Sequence, residues 1–171
     1  MGISKPPRHQ TPSKLDRGLG MNTLYYHDLE TGKVYRSAGR TATEADNTMF
    51  CMLSGDWNPI HANAAVAAES HFQQRVVPGL FGVSLITGAM GQWGIFEESV
   101  LAMLNLKDWE FKAPIFIGDT IYVEMAILDK RLSSKGDVGI VGRRFTLITH
   151  EGKVLQTGYS DMMIKVAPTV S

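Results

Sequence analysis

The sequence predicts an α+β domain in which a long antiparallel sheet wraps a buried helix. Three observations carry that class. The stretch VVPGLFGVSLITGAMGQWG, residues 76–94, is apolar nearly all the way round a helix and contains Gly82, Gly88 and Gly91; a helix of that kind is surrounded by protein, with glycines where a neighbour comes close. From Asp108 onward the hydrophobic period becomes that of strands, in DWEFKAPIFIG, TIYVEMAILDKR, VGIVGRRFTLITH and KVLQTGYSDMMIKV. Their connections, Gly118-Asp119, SSKGD and His150 to Lys153, are short, which implies antiparallel neighbours.

In chain order, residues 1–23 read as a flexible leader, basic and rich in Pro and Gly, without the apolar segment of a secretory signal. Met21 is a candidate alternative start, and an organellar transit peptide is the less favoured reading of the same segment. KVYRSAGRTAT, Lys33 to Thr43, has the β-branched and aromatic character of a strand. Thr43 then offers an N-cap with Asp46 closing a capping-box-like start. The helix that follows places Ala45, Met49, Met52 and Leu53 at helical spacing as its buried face and stops at Gly55. Asn63 caps a short helix in AAVAAESHF, and Pro78-Gly79 opens the central helix. A single domain is expected over 24–167, with 168–171 as a tail.

The bulk numbers exclude several function classes. At 171 residues and 44% hydrophobic content the chain forms one real core. Seventeen basic residues balance seventeen acidic ones, so no net field draws nucleic acid or an anionic membrane. No apolar run approaches the roughly 18 residues of a membrane span. Cys51 is the only cysteine, which rules out an intrachain disulfide and fits a reducing compartment, the cytoplasm.

The loop GDWNPIH, Gly55 to His61, concentrates the chemistry. Pro59 withholds a backbone donor and pushes Asn58 out of helical space, so Asp56 and His61 stand on a stiffened loop. Its plain structural reading is a helix-ending turn with Asx-type bonds from Asp56 and Asn58. Its chemical reading draws on the helix that opens soon after at Pro78-Gly79, whose free N–H groups and positive dipole end suit a developing oxyanion. Hydration of an α,β-unsaturated thioester needs a base for water, a proton for the α-carbon and donors for the thioester oxygen. Asp56 and His61 can hold one water between them, and the Gly79 N–H can serve the oxygen.

With GDxNPxH, an Ala-rich turn reaching Phe72, and VVPGL opening the next helix, the segment from Ser54 to Met90 resembles the MaoC-like (R)-specific enoyl-CoA hydratases of the hot-dog fold. FKAPIFIGDTIYVEMAI, Phe111 to Ile127, resembles that family's strand pair, and the likeness runs from Leu24 to Val166. The resemblance implies a single hot-dog domain with Asp56 and His61 as the catalytic pair and Gly79 as the oxyanion-hole donor. It implies Asn58 as the brace of the loop, and Ser84 or Thr87 as a hydroxyl lining the substrate site. It further implies reversible syn addition of water to a trans-2-enoyl-CoA, giving an (R)-3-hydroxyacyl-CoA. No metal or redox cofactor is expected, and coenzyme A enters only as part of the substrate. Edge-to-edge sheet pairing into a homodimer or larger homo-oligomer is expected too. Many members carry His-Gly where this chain has Pro78-Gly79; the donor glycine is retained, so the change bears on substrate preference.

Three other readings remain open. A dehydratase acting on acyl-carrier-protein thioesters would want a basic docking patch. A hot-dog thioesterase commonly has a carboxylate on or near the central helix, and Gly79 to Gly94 contains none. A non-catalytic acyl-thioester-binding protein would bind without turnover. Cys51 reads as a buried structural thiol and the histidines show no zinc-ligand spacing. Met90, Trp93 and Phe96 read as core, or more sharply as the closed end of an acyl pocket. Arg131, Arg143, Arg144 and Lys112 read as a solvated strand face, with coenzyme A phosphates as the alternative partner.

Overall fold

The computed structural model describes residues 23–167. The expected leader up to residue 22 and the expected tail lie outside the described residues. A 3-10 turn at Tyr26–Asp28 leads into β1 (Val34–Arg36) and β2 (Arg40–Thr41), both antiparallel to β5 (Thr120–Leu132). One continuous strand was expected over Lys33 to Thr43, but the chain breaks between them. There the Ser37 hydroxyl accepts the Val123 N–H at 2.9 Å in place of a backbone carbonyl. The Tyr122 ring lies so close to Gly39 that a Cβ would stand 2.8 Å from it.

Helix α1 (Glu44–Ser54) starts on the expected capping box. Asp46 N–H donates to Thr43 Oγ1 at 3.2 Å, Thr43 N–H donates to Asp46 Oδ2 at 2.9 Å, and Arg40 donates to Asp46 Oδ1 at 2.5 Å. Gly55 ends it at φ 74°, the left-handed geometry that glycine adopts without strain. The expected buried face is wrong: Ala45, Met49, Met52 and Leu53 are exposed, and Asn47 and Cys51 are buried instead. Helical spacing identifies stripes but not which stripe meets protein. Here the Asn47 side chain is needed inside, where its Nδ2 donates to the His61 carbonyl at 3.0 Å.

Burial pulls the Asp46 carboxyl up, but the bonds from Thr43 and the charge and bonds of Arg40 outweigh it, leaving it below the ordinary carboxylate value. A lowered folded pKa stabilises above the unfolded value, and that contribution disappears as pH falls through the folded one. Urea midpoints of wild type and Asp46→Ala should therefore differ by about 1 kcal/mol near neutrality. They should converge as pH drops well below about 3.9; a constant gap would mean that the carboxylate does not carry the cap.

Two short helices follow, α2 (Pro59–Ala62) and α3 (Ala64–Ala68), capped by the Asn58 and Asn63 side chains, and then α4 (Gly79–Trp93); the sequence reading has Pro59 to His61 as loop, but a proline in the first turn costs no intrahelical bond, so the helix starts there. Strands β3 (Val100–Met103), β4 (Lys107–Phe111), β5, β6 (Val138–Thr149) and β7 (Val154–Lys165) complete one seven-stranded antiparallel sheet of order β1-β5-β6-β7-β3. β2 also pairs with β5 and β4 with β7. Inward positions alternate along the strands, as in Val141, Arg143, Phe145 and Leu147, and face Phe81, Leu85, Ile86 and Ala89 of α4. β3 was not expected from the sequence.

The strand expected from Asp108 to Gly118 stops at Phe111 and pairs with β7, not with β5. Lys112 and Ala113 both donate to the Leu155 carbonyl, and Pro114 cannot donate. The chain then turns in toward the start of α4, where Val77 N–H donates to Ile115 O at 2.9 Å and Val76 bridges Phe116. Gly118-Asp119 therefore joins this crossing segment to β5. α4 is covered less completely than expected: Leu80, Ser84, Thr87, Gly88, Gly91 and Gln92 form an exposed stripe. Gly82 does meet a close neighbour, whereas Gly88 and Gly91 have open space beside them.

Candidate active site

Short-range bonds shape the GDWNPIH loop. Asp56 N–H donates to Ser54 Oγ at 3.2 Å, and Asp56 Oδ1 accepts the Asn58 N–H at 3.3 Å. Asn58 Oδ1 accepts the Ile60 N–H at 3.2 Å, capping α2 with Pro59 in its first turn. The second carboxylate oxygen, Asp56 Oδ2, is left facing His61 Nε2 at 3.5 Å. The His61 side chain is 12% exposed and that of Asp56 48%, so the imidazole is largely covered while the carboxylate is open to solvent.

The tautomer of His61 follows from its other nitrogen. Nδ1 lies 2.7 Å from the Val76 carbonyl, which can only accept, so Nδ1 carries the hydrogen. In the neutral ring Nε2 is then an acceptor, as is Asp56 Oδ2. Two acceptors 3.5 Å apart do not bond each other, but a water donating one hydrogen to each satisfies both. That water keeps its lone pairs free. Cys51 lies buried beneath the loop, its thiol pushed up first by burial and then by the Asp56 charge, which makes it a structural thiol and not a nucleophile.

The same loop is tied to the start of α4. Val76 accepts from His61 Nδ1 through its carbonyl and donates its N–H to Ile60 O at 3.2 Å, and Pro78 follows as the N-cap of α4. No side chain caps this helix end. The Gly79 N–H, at the first helical position, has no intrahelical acceptor and stands at the positive end of the helix dipole. A Cβ at Gly79 would lie 2.9 Å from the Phe111 ring, so a side chain there requires that exposed ring to move.

Gln156, on β7, is a site residue that the sequence reading missed. Its Nε2 donates to the Gly79 carbonyl at 2.9 Å and its Oε1 accepts from Trp109 Nε1 at 3.1 Å. Gln156 is buried and fills the space beside Gly82, where a Cβ would come within 2.4 Å of its amide. It thus pins the first turn of α4, which sets where the Gly79 N–H points. The available signal was an amide at a position of β7 that shares its face with Gly158, Met162 and Ile164.

Ser84 and Thr87 lie on the exposed stripe of α4, their hydroxyls donating to the Phe81 and Ser84 carbonyls at 2.6 and 2.8 Å. Ser84 also borders an open groove of about 300 Å³ between α1 and α4, lined by Arg40, Met49, Phe50, Leu53 and Phe81. Arg131, Arg144 and Lys112 are exposed, as a solvated strand face requires. Arg143 is not: it points into the core. Trp93 and Phe96 are buried core residues and Met90 is half-buried. Among the described residues no three His, Cys, Asp or Glu side chains group as a metal site, and no helix is long and apolar enough to cross a membrane.

Comparison with known proteins agrees with this architecture. The chain is 29% identical over 140 residues to an (R)-specific enoyl-CoA hydratase of Rhodospirillum rubrum, covering 82% of this chain and 91% of that protein. It is 36% identical over 101 residues to Protein MaoC of Klebsiella aerogenes, covering 59% of this chain but only 30% of that longer protein. The solved monoamine oxidase regulatory protein of Archaeoglobus fulgidus superposes with a TM-score of 0.81 at 26% identity, covering 87% of this chain and 99% of the other. The sheet around α4 is a hot-dog domain. The family model described as MaoC like domain matches residues 28–147, and the chain belongs to that family of hydratases and dehydratases.

Proposed function

We propose that the protein adds water reversibly to a trans-2-enoyl-CoA to form an (R)-3-hydroxyacyl-CoA. The observation that carries this reading is the Asp56–His61 pair, two acceptors 3.5 Å apart on a loop bonded to the uncapped start of α4. The thioester oxygen takes the Gly79 N–H, which draws electrons out of the C2–C3 double bond. The held water bonds through its oxygen to C3. The pair removes one of its protons as the electron pair moves onto the thioester oxygen, and the same proton count is restored when the pair protonates C2. Both additions come from the side on which the pair stands, so the addition is syn. The reaction is redox-neutral and draws on no metal or cofactor. Stereochemistry at C3 follows the relative named (R)-specific.

Asn58 braces the loop, and Ser84 and Thr87 border the acyl chain. Protomers pair as a homodimer, a reading supported by the exposed stripe of α4 and by the open apolar face of α1, Met49, Met52 and Leu53, next to the site. The test follows loss of ultraviolet absorbance of the enoyl thioester with straight-chain and branched trans-2-enoyl-CoAs, followed by product chirality. Hydration to the (R) product supports the reading. Silence across the whole panel from folded protein would overturn it, and turnover only of carrier-protein thioesters would move the substrate to the carrier-bound class.

A further inference from the structure

Arg143, on β6, is 1% exposed, a permanent cation inside an apolar core. Its Nε donates to the Ser160 carbonyl at 3.2 Å and its Nη2 to Ser160 Oγ at 3.1 Å. Nη1, turned toward α4, meets only thioethers, Met90 Sδ at 2.9 Å and Met125 Sδ at 4.0 Å. Sulfur is a weak acceptor. Among the described residues the ion pairs join other groups, and no carboxylate bonds Arg143. Asp161 influences it from the other face of the sheet, where its carboxylate is already bonded to Lys107 and Asn105. Burial pushes the guanidinium down to about 10, with Asp161 drawing it partly back.

A buried cation facing sulfur is costly unless an anion completes it. The cover over this one is thin. Met90 is half-buried, on the flank of α4 that carries half-buried Val83 and exposed Thr87. Its unbranched thioether can swing away with little strain. One turn further, buried Trp93 Nε1 has no hydrogen-bond partner among the described residues. Gly91, on the open side of the same helix, has open space beside it for a chain passing Ser84 and Thr87.

We infer that the acyl half of the site ends on Arg143 behind Met90, so that the protein takes an acyl thioester with a carboxylate at the far end of its acyl group. This rests on the thioester reading of Asp56, His61 and Gly79, and it names the substrate class of that site. An acyl carboxylate displaces the Met90 thioether from Nη1 and gives that nitrogen the strong acceptor it lacks.

The test uses the full chain and unreactive saturated twins, succinyl-CoA against butyryl-CoA and adipyl-CoA against hexanoyl-CoA, titrated calorimetrically. Wild type is expected to bind the diacid member of at least one pair about tenfold or more tightly than its twin. Arg143→Met should abolish that preference, so that neither diacid thioester binds more tightly than its apolar twin. Equal or weaker binding of both diacid thioesters by wild type, or no binding of any twin, overturns the inference without any variant. A preference that survives Arg143→Met in a folded variant overturns it as well, and should that variant not fold, the uncharged Arg143→Gln takes its place. Failure of hydration is read separately: diacid preference without turnover leaves this site standing and removes the hydratase reading, whereas hydration of crotonyl-CoA without diacid preference does the reverse.

Discussion

Asp56→Asn should lower kcat/KM for hydration by about 10³-fold or more, the scale of a general acid–base group, with the urea midpoint nearly unchanged. The amide keeps an oxygen for the Asn58 N–H, so the loop retains its bond at 3.3 Å. What changes is the atom facing His61 Nε2: an N–H donor replaces an acceptor and can bond the ring directly, closing the slot that a water would occupy. His61→Gln should cost about 10²- to 10³-fold on the same basis. In the proposed mechanism both side chains hold one water, so the double variant should be little worse than Asp56→Asn alone. Absorbance assays on the two single variants and the double variant decide it. Near-wild-type turnover by Asp56→Asn would remove Asp56 from the chemistry, and multiplicative losses would mean that the two residues act in separate steps.

Gly82→Ala is expected to destabilise the fold by about 2–3 kcal/mol, although the same exchange in an exposed helix interior normally stabilises by about 1 kcal/mol. The sign reverses because the new Cβ would stand 2.4 Å from Gln156 Nε2 and 2.6 Å from its Cδ. Gln156 cannot yield without releasing its bonds to the Gly79 carbonyl and Trp109 Nε1. The same displacement frees the first turn of α4, so kcat should fall with little change in KM. In a Gln156→Ala background the obstacle is gone, and Gly82→Ala should cost much less. A double-mutant cycle by urea unfolding measures this coupling. Equal costs in both backgrounds would mean that the helix itself resists the methyl and that Gln156 is a bystander.

The elements most legible in the sequence were those specified by neighbouring residues. The Thr43–Asp46 box, the Gly55 stop, the Asn63 cap and the Pro78-Gly79 start of α4 all stand where their side chains dictate. The pairing of Asp56 with His61 was legible for the same reason, since Pro59 and two Asx bonds hold a short loop in one shape. Readings that depended on distant partners fared worse. Met49, Met52 and Leu53 have the spacing of a buried face, yet α1 turns Asn47 and Cys51 inward because Asn47 bonds the His61 carbonyl. The run after Asp108 has strand character, yet it leaves the sheet at Phe111 to brace α4.

By itself, then, the sequence determined the α+β class, the starts of α1, α3 and α4 and the pairing of Asp56 with His61, because capping, turn chemistry and periodicity act over a few residues and are written in residue type. Tertiary structure alone decided that Gln156 grips the Gly79 carbonyl and that Arg143 lies in the core against Met90 and Ser160. Those contacts join residues far apart in the chain, and whether a polar side chain on a strand faces water or the core depends on which helix the sheet closes over.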